Sequence, residues 1–125
     1  MIYYEPVNLK HWNMFKEVPG PGHVESFYGV KDMSLGDIVL LHVGSQDGRY
    51  ESGIYAFGEV VGDPYLDNDP KDMRYGKYRI DVKFNTIVRN KPLIGTYIYH
   101  SKRPLKQAIY GSYSTQSLLA KYVDN

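Results

Sequence analysis

The feature that most constrains the fold is a pair of apolar segments separated by a polar, glycine-containing loop. The first, DIVLLHV from Asp37 to Val43, is apolar almost throughout, as is typical of a strand covered on both sides. The second, IYAFGEVV, runs from Ile54 to Val61, and the loop between them, GSQDGRYESG, is expected at the surface. We therefore predict two neighbouring strands, with Gly58 at a bulge or at a close approach of another backbone or a ligand.

Shorter patterns predict the remaining elements. A first strand is expected in MIYYEPV, ending near Pro6, and Asn8 is a plausible N-cap for a helix in NLKHWNMFKEV. Further helical turns are predicted in ESFYGVKDM, where Phe27, Val30 and Met33 share a face, and in the C-terminal STQSLLAKYV. The segment KYRIDVKF alternates as a half-buried strand does. Its predicted inward residues are Tyr78, Ile80, Val82 and Phe84.

This succession of short strands with peripheral helices predicts an α+β fold, a small curled β-barrel with short flanking helices. A chain of 125 residues fits a single domain, residues 1–125. The sequence contains no cysteine, which excludes disulfides and cysteine-ligated metals. It shows no signal-peptide pattern and no apolar run near the ~20 residues that span a bilayer, so we expect a cytoplasmic protein with no membrane partner.

Charge is distributed unevenly along the chain. Residues 1–70 carry 4 Lys/Arg and 11 Asp/Glu, whereas residues 71–125 carry 11 Lys/Arg and 3 Asp/Glu. Such a chain can present a basic face to phosphates, provided that the two halves do not intermix in space. We expect the second half to gather its cations and aromatic rings around one cavity. The absence of a cavity wide enough for a purine or pyrimidine, or a cavity walled by carboxylates, would contradict an interpretation of the chain as a nucleic-acid reader.

The sequence offers no recognisable catalytic or cofactor motif. The four histidines are far apart without metal-ligand spacing, and His42 is most simply a hydrogen-bonded core or pocket residue. The acidic segment DNDPKDMRYGKY lacks the closing glutamate of a calcium loop and is interpreted as a solvated turn. The sequence has no motif that would activate a nucleophilic side chain. We therefore expect a binding protein rather than an enzyme, with no metal and no cofactor.

Three segments occur in this order: MSLGDIVLLHVGS, SGIYAFGEVVGDPY and KYRIDVKFNTIVRNKPLI. Together with a first strand followed by a helix bearing Trp12, they resemble the EVE domain of the PUA-like superfamily. The resemblance covers most of the chain. It implies a small β-barrel whose pocket is similar to that of the related YTH domain, which holds a methylated base. Family members often carry two further tryptophans, which this chain lacks, so phenylalanine or tyrosine would have to replace them.

The resemblance implies binding of DNA or RNA that carries a modified base, flipped into an aromatic pocket without catalysis. A lone domain of this size usually also needs an effector protein. Polar side chains would read the edge of the base, and basic residues would grip phosphates. The candidate pocket residues are Asn8, Trp12, Asn13, Phe27, Tyr28, His42, Ser45, Tyr99 and Tyr110. The candidate phosphate-binding residues are Lys83, Arg89, Lys102, Arg103 and Lys106.

Alternatives remain open at this point. Trp12 is at least as well explained as a core residue, Asn8 as a helix cap, and the basic segment HSKRPLKQ as a solvated turn. A ribonuclease of the related ASCH type would use a cluster such as Lys83, Arg89 and Tyr99. A protein-interaction subunit of a restriction or toxin system would use exposed tyrosines as an interface.

Overall fold

The computed structural model describes residues 2–28, 32–44, 48–72, 76–95 and 106–107. These ranges contain one four-residue helix and eight strands. In chain order they are β1 (Ile2–Val7), α1 (Met14–Glu17), β2 (Val24–Tyr28), β3 (Ile38–Val43), β4 (Gly53–Val60), β5 (Tyr65–Leu66), β6 (Tyr78–Ile87), β7 (Ile94–Gly95) and β8 (Lys106–Gln107).

The strands form one mixed sheet in the order β2-β6-β4-β3-β1-β8, with β5 paired to β6 and β7 paired to β4. β1 and β3 run parallel, and the other described pairs are antiparallel. The sheet curls into a half-barrel, which confirms the predicted fold class, a small curled β-barrel, and the described residues include one short helix beside it. No helix within the described ranges has the length and apolarity needed to cross a bilayer.

The core lies against the centre of this sheet. Val39, Leu41, Tyr55 and Phe84 are all 0% exposed and belong to one hydrophobic cluster. The alternation predicted for β6 is confirmed at Ile80, Val82 and Phe84. It is wrong at Tyr78, which is 36% exposed because its cross-strand partner is the exposed Leu66 of the two-residue β5.

Gly58 lies at a close approach between β4 and β6. The register between them shifts between Phe57 and Gly58. A Cβ at position 58 would collide with the carbonyl oxygen of Lys83 and contact the Val82 side chain. The predicted bulge and close backbone approach are therefore confirmed.

The helices differ most from the sequence predictions. The helix expected over residues 8–18 is only α1, because Asn13 has an extended backbone (φ −85°, ψ 91°). Asn8 instead begins a separate turn, in which its carbonyl accepts the N–H groups of His11 and Trp12, each at 3.0 Å. The helical turn expected over residues 25–33 is wrong at residues 25–28, which pair with β6 as part of β2. The predicted C-terminal helix lies outside the described residues.

The acidic loop before β6 is less solvated than its sequence suggests. Asp67 is 4% exposed. Its Oδ1 accepts the backbone N–H of Asp69 at 3.0 Å, and its Oδ2 lies 3.5 Å from Nη1 of Arg79. The interpretation as a solvated turn is therefore wrong at Asp67, which anchors the loop to β6. Within the described part of the chain, no group of three or more histidine or acidic side chains is placed to hold a metal ion.

Candidate functional site

A cavity of about 430 Å³ lies between β1, the turn that follows it, and β2. This volume falls within the ~300–1,000 Å³ that is typical of small-molecule sites. The lining residues are Glu5, Pro6, Val7, Asn8, His11, Trp12, Glu25, Ser26, Phe27 and Tyr28.

The walls of this cavity come from residues 5–28, not from the basic second half of the chain. Glu5 and Glu25 are the acidic lining residues, and the described wall includes no Lys or Arg. Lys77 and Arg79 of the basic half reach its margin, through contacts with Tyr28 and Ser26. The expectation that the second half builds the cavity is thus not met by the described walls.

Glu5 occupies an apolar row of β1. Alternation along this strand puts Glu5 on the same side as Tyr3 and Val7, which are both buried in the hydrophobic cluster. On the neighbouring strand β3, its register partner is the fully buried Leu41. Within the described structure, the buried Oε2 of Glu5 has no hydrogen-bond partner. The backbone therefore places a carboxyl group at an apolar cavity wall without a compensating donor.

Burial raises the pKa of Glu5 from its ordinary 4.5 to about 8. Taking a carboxylate out of water disfavours its charged form, and this desolvation is the cause of the shift. At pH 7 the group is therefore mostly a neutral carboxylic acid, which has one O–H donor and one carbonyl acceptor. This neutral group is compatible with the apolar wall in a way that a carboxylate would not be.

Aromatic rings form the rest of the wall. Trp12 and Tyr28 are half-buried, and Phe27 is buried. The ring centroids of Trp12 and Phe27 lie 5.6 Å apart with their planes at 90°. A flat ligand that stacks on one of these two rings must therefore meet the other ring side-on. Trp12 also packs against the hydrophobic core, so one side chain contacts both the core and the cavity.

Polar groups surround the mouth of the cavity. Asn8 and His11 are exposed, and Oδ1 of Asn8 accepts the N–H of Lys10 at 3.0 Å. Glu25 Oε1 lies 2.9 Å from Nε2 of His23. The ammonium group of the exposed Lys77 lies 5.4 Å from the ring centroid of Tyr28, within cation–π range.

A polar network supports the wall from the side of β6. Arg79 donates to the Ser26 hydroxyl and also approaches Asp67 and Asp72, at 3.5 and 3.7 Å. Nearby, the Tyr65 hydroxyl donates to Oδ1 of Asp81 at 2.7 Å. The network ties β2 and the acidic loop to β6, which fixes the position of the cavity wall at Ser26.

Four of the sequence-predicted pocket residues, Asn8, Trp12, Phe27 and Tyr28, come together in this cavity. Asn13 is exposed at the start of α1. His42 lies on β3 with its Nε2 3.2 Å from the Ser52 hydroxyl, and burial lowers its pKa. Neither is among the lining residues. Ser45, Tyr99 and Tyr110 lie outside the described residues.

The predicted phosphate-binding residues do not gather at the cavity in the described structure. Lys83 is exposed in the middle of β6. Arg89 donates to the carbonyls of Phe15 and Val18, at 3.3 and 2.8 Å, and so joins the end of α1 to the segment after β6. Lys102 and Arg103 lie outside the described residues, and only the backbone of Lys106 is described, as part of β8.

Sequence reasoning missed Glu5, although a signal was present. Tyr3, Glu5 and Val7 alternate as the inward residues of a strand, and an acidic residue in such a row calls for a partner or a functional reason. The contribution of Lys77 at the Tyr28 ring had no comparable local signal, because the pairing of β2 with β6 was not foreseen.

Comparisons with known proteins extend the fold assignment. No protein-family model matches the chain, and no curated protein sequence matches it. A crystal structure of a Pseudomonas syringae protein aligns over 97% of this chain and 99% of its own, with 15% identity and a TM-score of 0.63. A hypothetical protein from Leishmania major aligns over 94% and 91%, with 18% identity and a TM-score of 0.63.

A lower-scoring structure is the DUF55 domain of human thymocyte nuclear protein 1. It aligns over 71% of this chain and 65% of its own, with 16% identity and a TM-score of 0.45, which is too low to support an argument. The two better alignments show that the fold of nearly the whole chain recurs in proteins from a bacterium and a protozoan.

Proposed function

We propose that this protein is a single-domain, non-catalytic binder of DNA or RNA that holds one unstacked, methylated base in the cavity. The observation that carries the proposal is the cavity itself, about 430 Å³ in volume, with Trp12, Phe27 and Tyr28 in one wall. Flat aromatic ligands suit such a wall, and the few polar groups present could fix the orientation of the ligand. The sequence resemblance to the EVE domain supports the same interpretation.

The energetics are favourable for a base that is already unpaired or weakly paired. Extruding a base from a duplex costs a few kcal/mol. Stacking on an aromatic side chain returns about 1–3 kcal/mol per base. A buried methyl group adds up to ~0.8 kcal/mol. Because Trp12 and Tyr28 are only half-buried, their rings are accessible to a ligand.

Sequence-independent affinity would come from basic residues near the mouth. Lys77 is exposed and lies beside the Tyr28 ring, so its ammonium group could contact the phosphate that precedes or follows the bound base. Lys83 is exposed further along the chain, in the middle of β6. Contacts of this kind weaken as salt concentration rises. An effector protein would then give the binding event its consequence.

Fluorescence polarisation with labelled oligonucleotides tests the proposal. The probes are single- and double-stranded oligonucleotides with one 5-methylcytosine, 5-hydroxymethylcytosine or N6-methyladenine, beside unmodified controls. We expect a preference for at least one modified single strand, and Trp12→Ala should weaken its binding about 5- to 100-fold. A denaturing gel of the same samples checks that the probe stays intact.

Phe15→Ala is the matched control. Phe15 belongs to the same segment and is also half-buried against the core, but it packs on Tyr50 and Tyr55 and does not line the cavity. With both variants folded by circular dichroism, Phe15→Ala should bind as the wild type does. Weak, salt-insensitive binding to every probe, or equal affinity of Trp12→Ala and wild type, would refute the proposal.

A further inference from the structure

We propose that Glu5 selects the bound base by pairing with an edge that offers a ring-nitrogen acceptor beside an amino donor, as adenine and cytosine do. This inference rests on the proposed function and names the class of base that the cavity accepts. The two hydrogen bonds would run from the carboxyl O–H to the ring nitrogen and from the amino group to the carboxyl oxygen.

The geometry supports this role for Glu5. It lines the cavity, yet its Oε2 is buried and has no hydrogen-bond partner within the described structure. Buried polar atoms without partners are rare in native proteins, because each one leaves a desolvation penalty uncompensated. A ligand edge in the cavity would supply the missing partner. An analogue with a mismatched edge would leave that group unpaired, which is the strongest basis for discrimination at a binding site.

The protonation state determines which edge fits. With its pKa raised to about 8 by burial, Glu5 presents one donor and one acceptor at pH 7. Adenine offers N1 beside its N6 amino group, and cytosine offers N3 beside its N4 amino group. By contrast, the N1–H and N2 amino group of guanine are two donors, which suit a carboxylate. Guanine also offers O6 beside N1–H, an acceptor and a donor that a neutral acid can pair with, so guanine reports on the carboxylate form through its pH dependence.

Methylation changes this edge in a predictable way. A methyl group on C5 of cytosine leaves the edge intact, and a single methyl on N6 of adenine leaves one amino hydrogen. A methyl group on N3 of cytosine removes the ring acceptor. The inference therefore predicts binding of 5-methylcytosine or N6-methyladenine and rejection of 3-methylcytosine.

Few titratable groups face Glu5 among the described residues. On β3 its partner is Leu41, flanked by the buried Val39 and Val43. The turn after β1 contributes His11, and β2 contributes Glu25, which is bonded to His23. The two described residues of β8 pair with Tyr3 and Tyr4 of β1. Variants at positions 11 and 25 therefore control for other titrations at the site.

The test is a pH series with Glu5→Gln. Glutamine keeps one donor and one acceptor at every pH, so it is a permanent substitute for the neutral acid. The probes are single-stranded oligonucleotides with one 5-methylcytosine, N6-methyladenine, 3-methylcytosine or unmodified guanine at the same position. Wild-type affinity for the preferred probe should fall about tenfold from pH 7 to pH 9, since a group with a pKa near 8 loses most of its protons over that range.

Under the same conditions, Glu5→Gln should bind within about threefold of the wild type at pH 7, with no decline towards pH 9. Glu5→Ala should bind at least about tenfold more weakly, because the edge of the base loses both partners. His11→Gln and Glu25→Gln should keep the wild-type pH profile. Circular dichroism confirms that each variant is folded.

Two results would overturn the inference while leaving the proposed function intact. In the first, binding depends on Trp12 but Glu5→Ala has no effect. In the second, Glu5→Gln loses binding and the wild type prefers guanine more strongly as pH rises, which identifies a carboxylate as the reading group. Failure of the proposed function is distinct, since it appears as binding that is independent of Trp12 or absent for all probes.

Discussion

Two acidic side chains of this protein are withdrawn from water in different ways, Asp67 in the loop before β6 and Glu5 in the cavity wall. Asp67 is 4% exposed, and each of its carboxyl oxygens has a partner, the Asp69 N–H or the Arg79 guanidinium. Glu5 lies in an apolar row, and its buried Oε2 has no partner within the described structure.

The difference separates a structural acid from a candidate functional one. The contacts of Asp67 explain its burial, because they hold the loop against β6 and need nothing further. The environment of Glu5 leaves its burial unexplained by the fold alone, and its raised pKa records the penalty. Groups of this second kind in a cavity are the ones to test for a role in binding.

Removing the partnered acid should have the largest effect on stability. Asp67→Ala leaves the half-buried Arg79 without its most buried partner and leaves the Asp69 N–H without an acceptor. We expect the free energy of unfolding to fall by about 3–4 kcal/mol, measured by urea denaturation. Asp69→Ala is the matched control, because Asp69 is exposed and its carboxylate accepts the N–H of the nearby Lys71. It should change stability by less than about 1 kcal/mol. A loss below 1 kcal/mol for Asp67→Ala would contradict the structural role.

Neutralising the unpartnered acid, Glu5, should raise the free energy of unfolding rather than lower it. Because the folded pKa of Glu5, about 8, lies above its ordinary 4.5, the folded state holds the proton more tightly than the unfolded state does. Between pH 5 and pH 8 the unfolded state loses this proton first, so the stability of the wild type should decline by up to about 1.4 kcal/mol per pH unit.

Glu5→Gln should remove that decline. We expect it to match the wild type near pH 4 and to exceed it at pH 8 by roughly 2–3 kcal/mol, after allowance for solvent screening at the open cavity. Urea denaturation from pH 4 to pH 9 measures both. Glu25→Gln, which alters a partly exposed acid of the same cavity, should leave the decline in place. A wild-type pH profile in Glu5→Gln would show that burial does not hold the proton on Glu5.

The sequence was most informative about the long apolar segments. The apolar segments that became β3 and β4 were long and continuous, and a glycine inside such a run, Gly58, has few explanations besides a bulge or a close approach. The aromatic residues Trp12, Phe27 and Tyr28 could be nominated together because the resemblance to the EVE domain indicated an aromatic pocket. Their convergence in one cavity is what the structure adds.

The sequence was misleading wherever distant pairing decided the outcome. Phe27, Val30 and Met33 recur every three residues, which predicted a helical turn. Residues 24–28 instead form β2, because β6 offers them a hydrogen-bonding edge more than 50 residues later in the chain. Asp67 looked like part of a solvated turn because Arg79, its partner, lies 12 residues away. Glu5 differs from these cases, since the alternation of Tyr3, Glu5 and Val7 was visible in the sequence and called for an explanation.

The smallest expected effect on stability concerns Tyr65, an exposed residue of β5 that ties the start of the acidic loop to β6. Tyr65 is 42% exposed, and its hydroxyl donates to Asp81 at 2.7 Å. Burial, followed by the hydrogen bond to Asp81, raises the pKa of Tyr65, so the donated proton stays in place at neutral pH. Because water can replace an exposed partner, Tyr65→Phe should lower the free energy of unfolding by about 0.5–1 kcal/mol in urea denaturation. If Tyr65→Phe instead destabilised the protein as much as Asp67→Ala does, exposure would not explain the difference between the Tyr65–Asp81 and Asp67–Arg79 contacts. The loop would then be one cooperative polar network in which no single acid is the anchor.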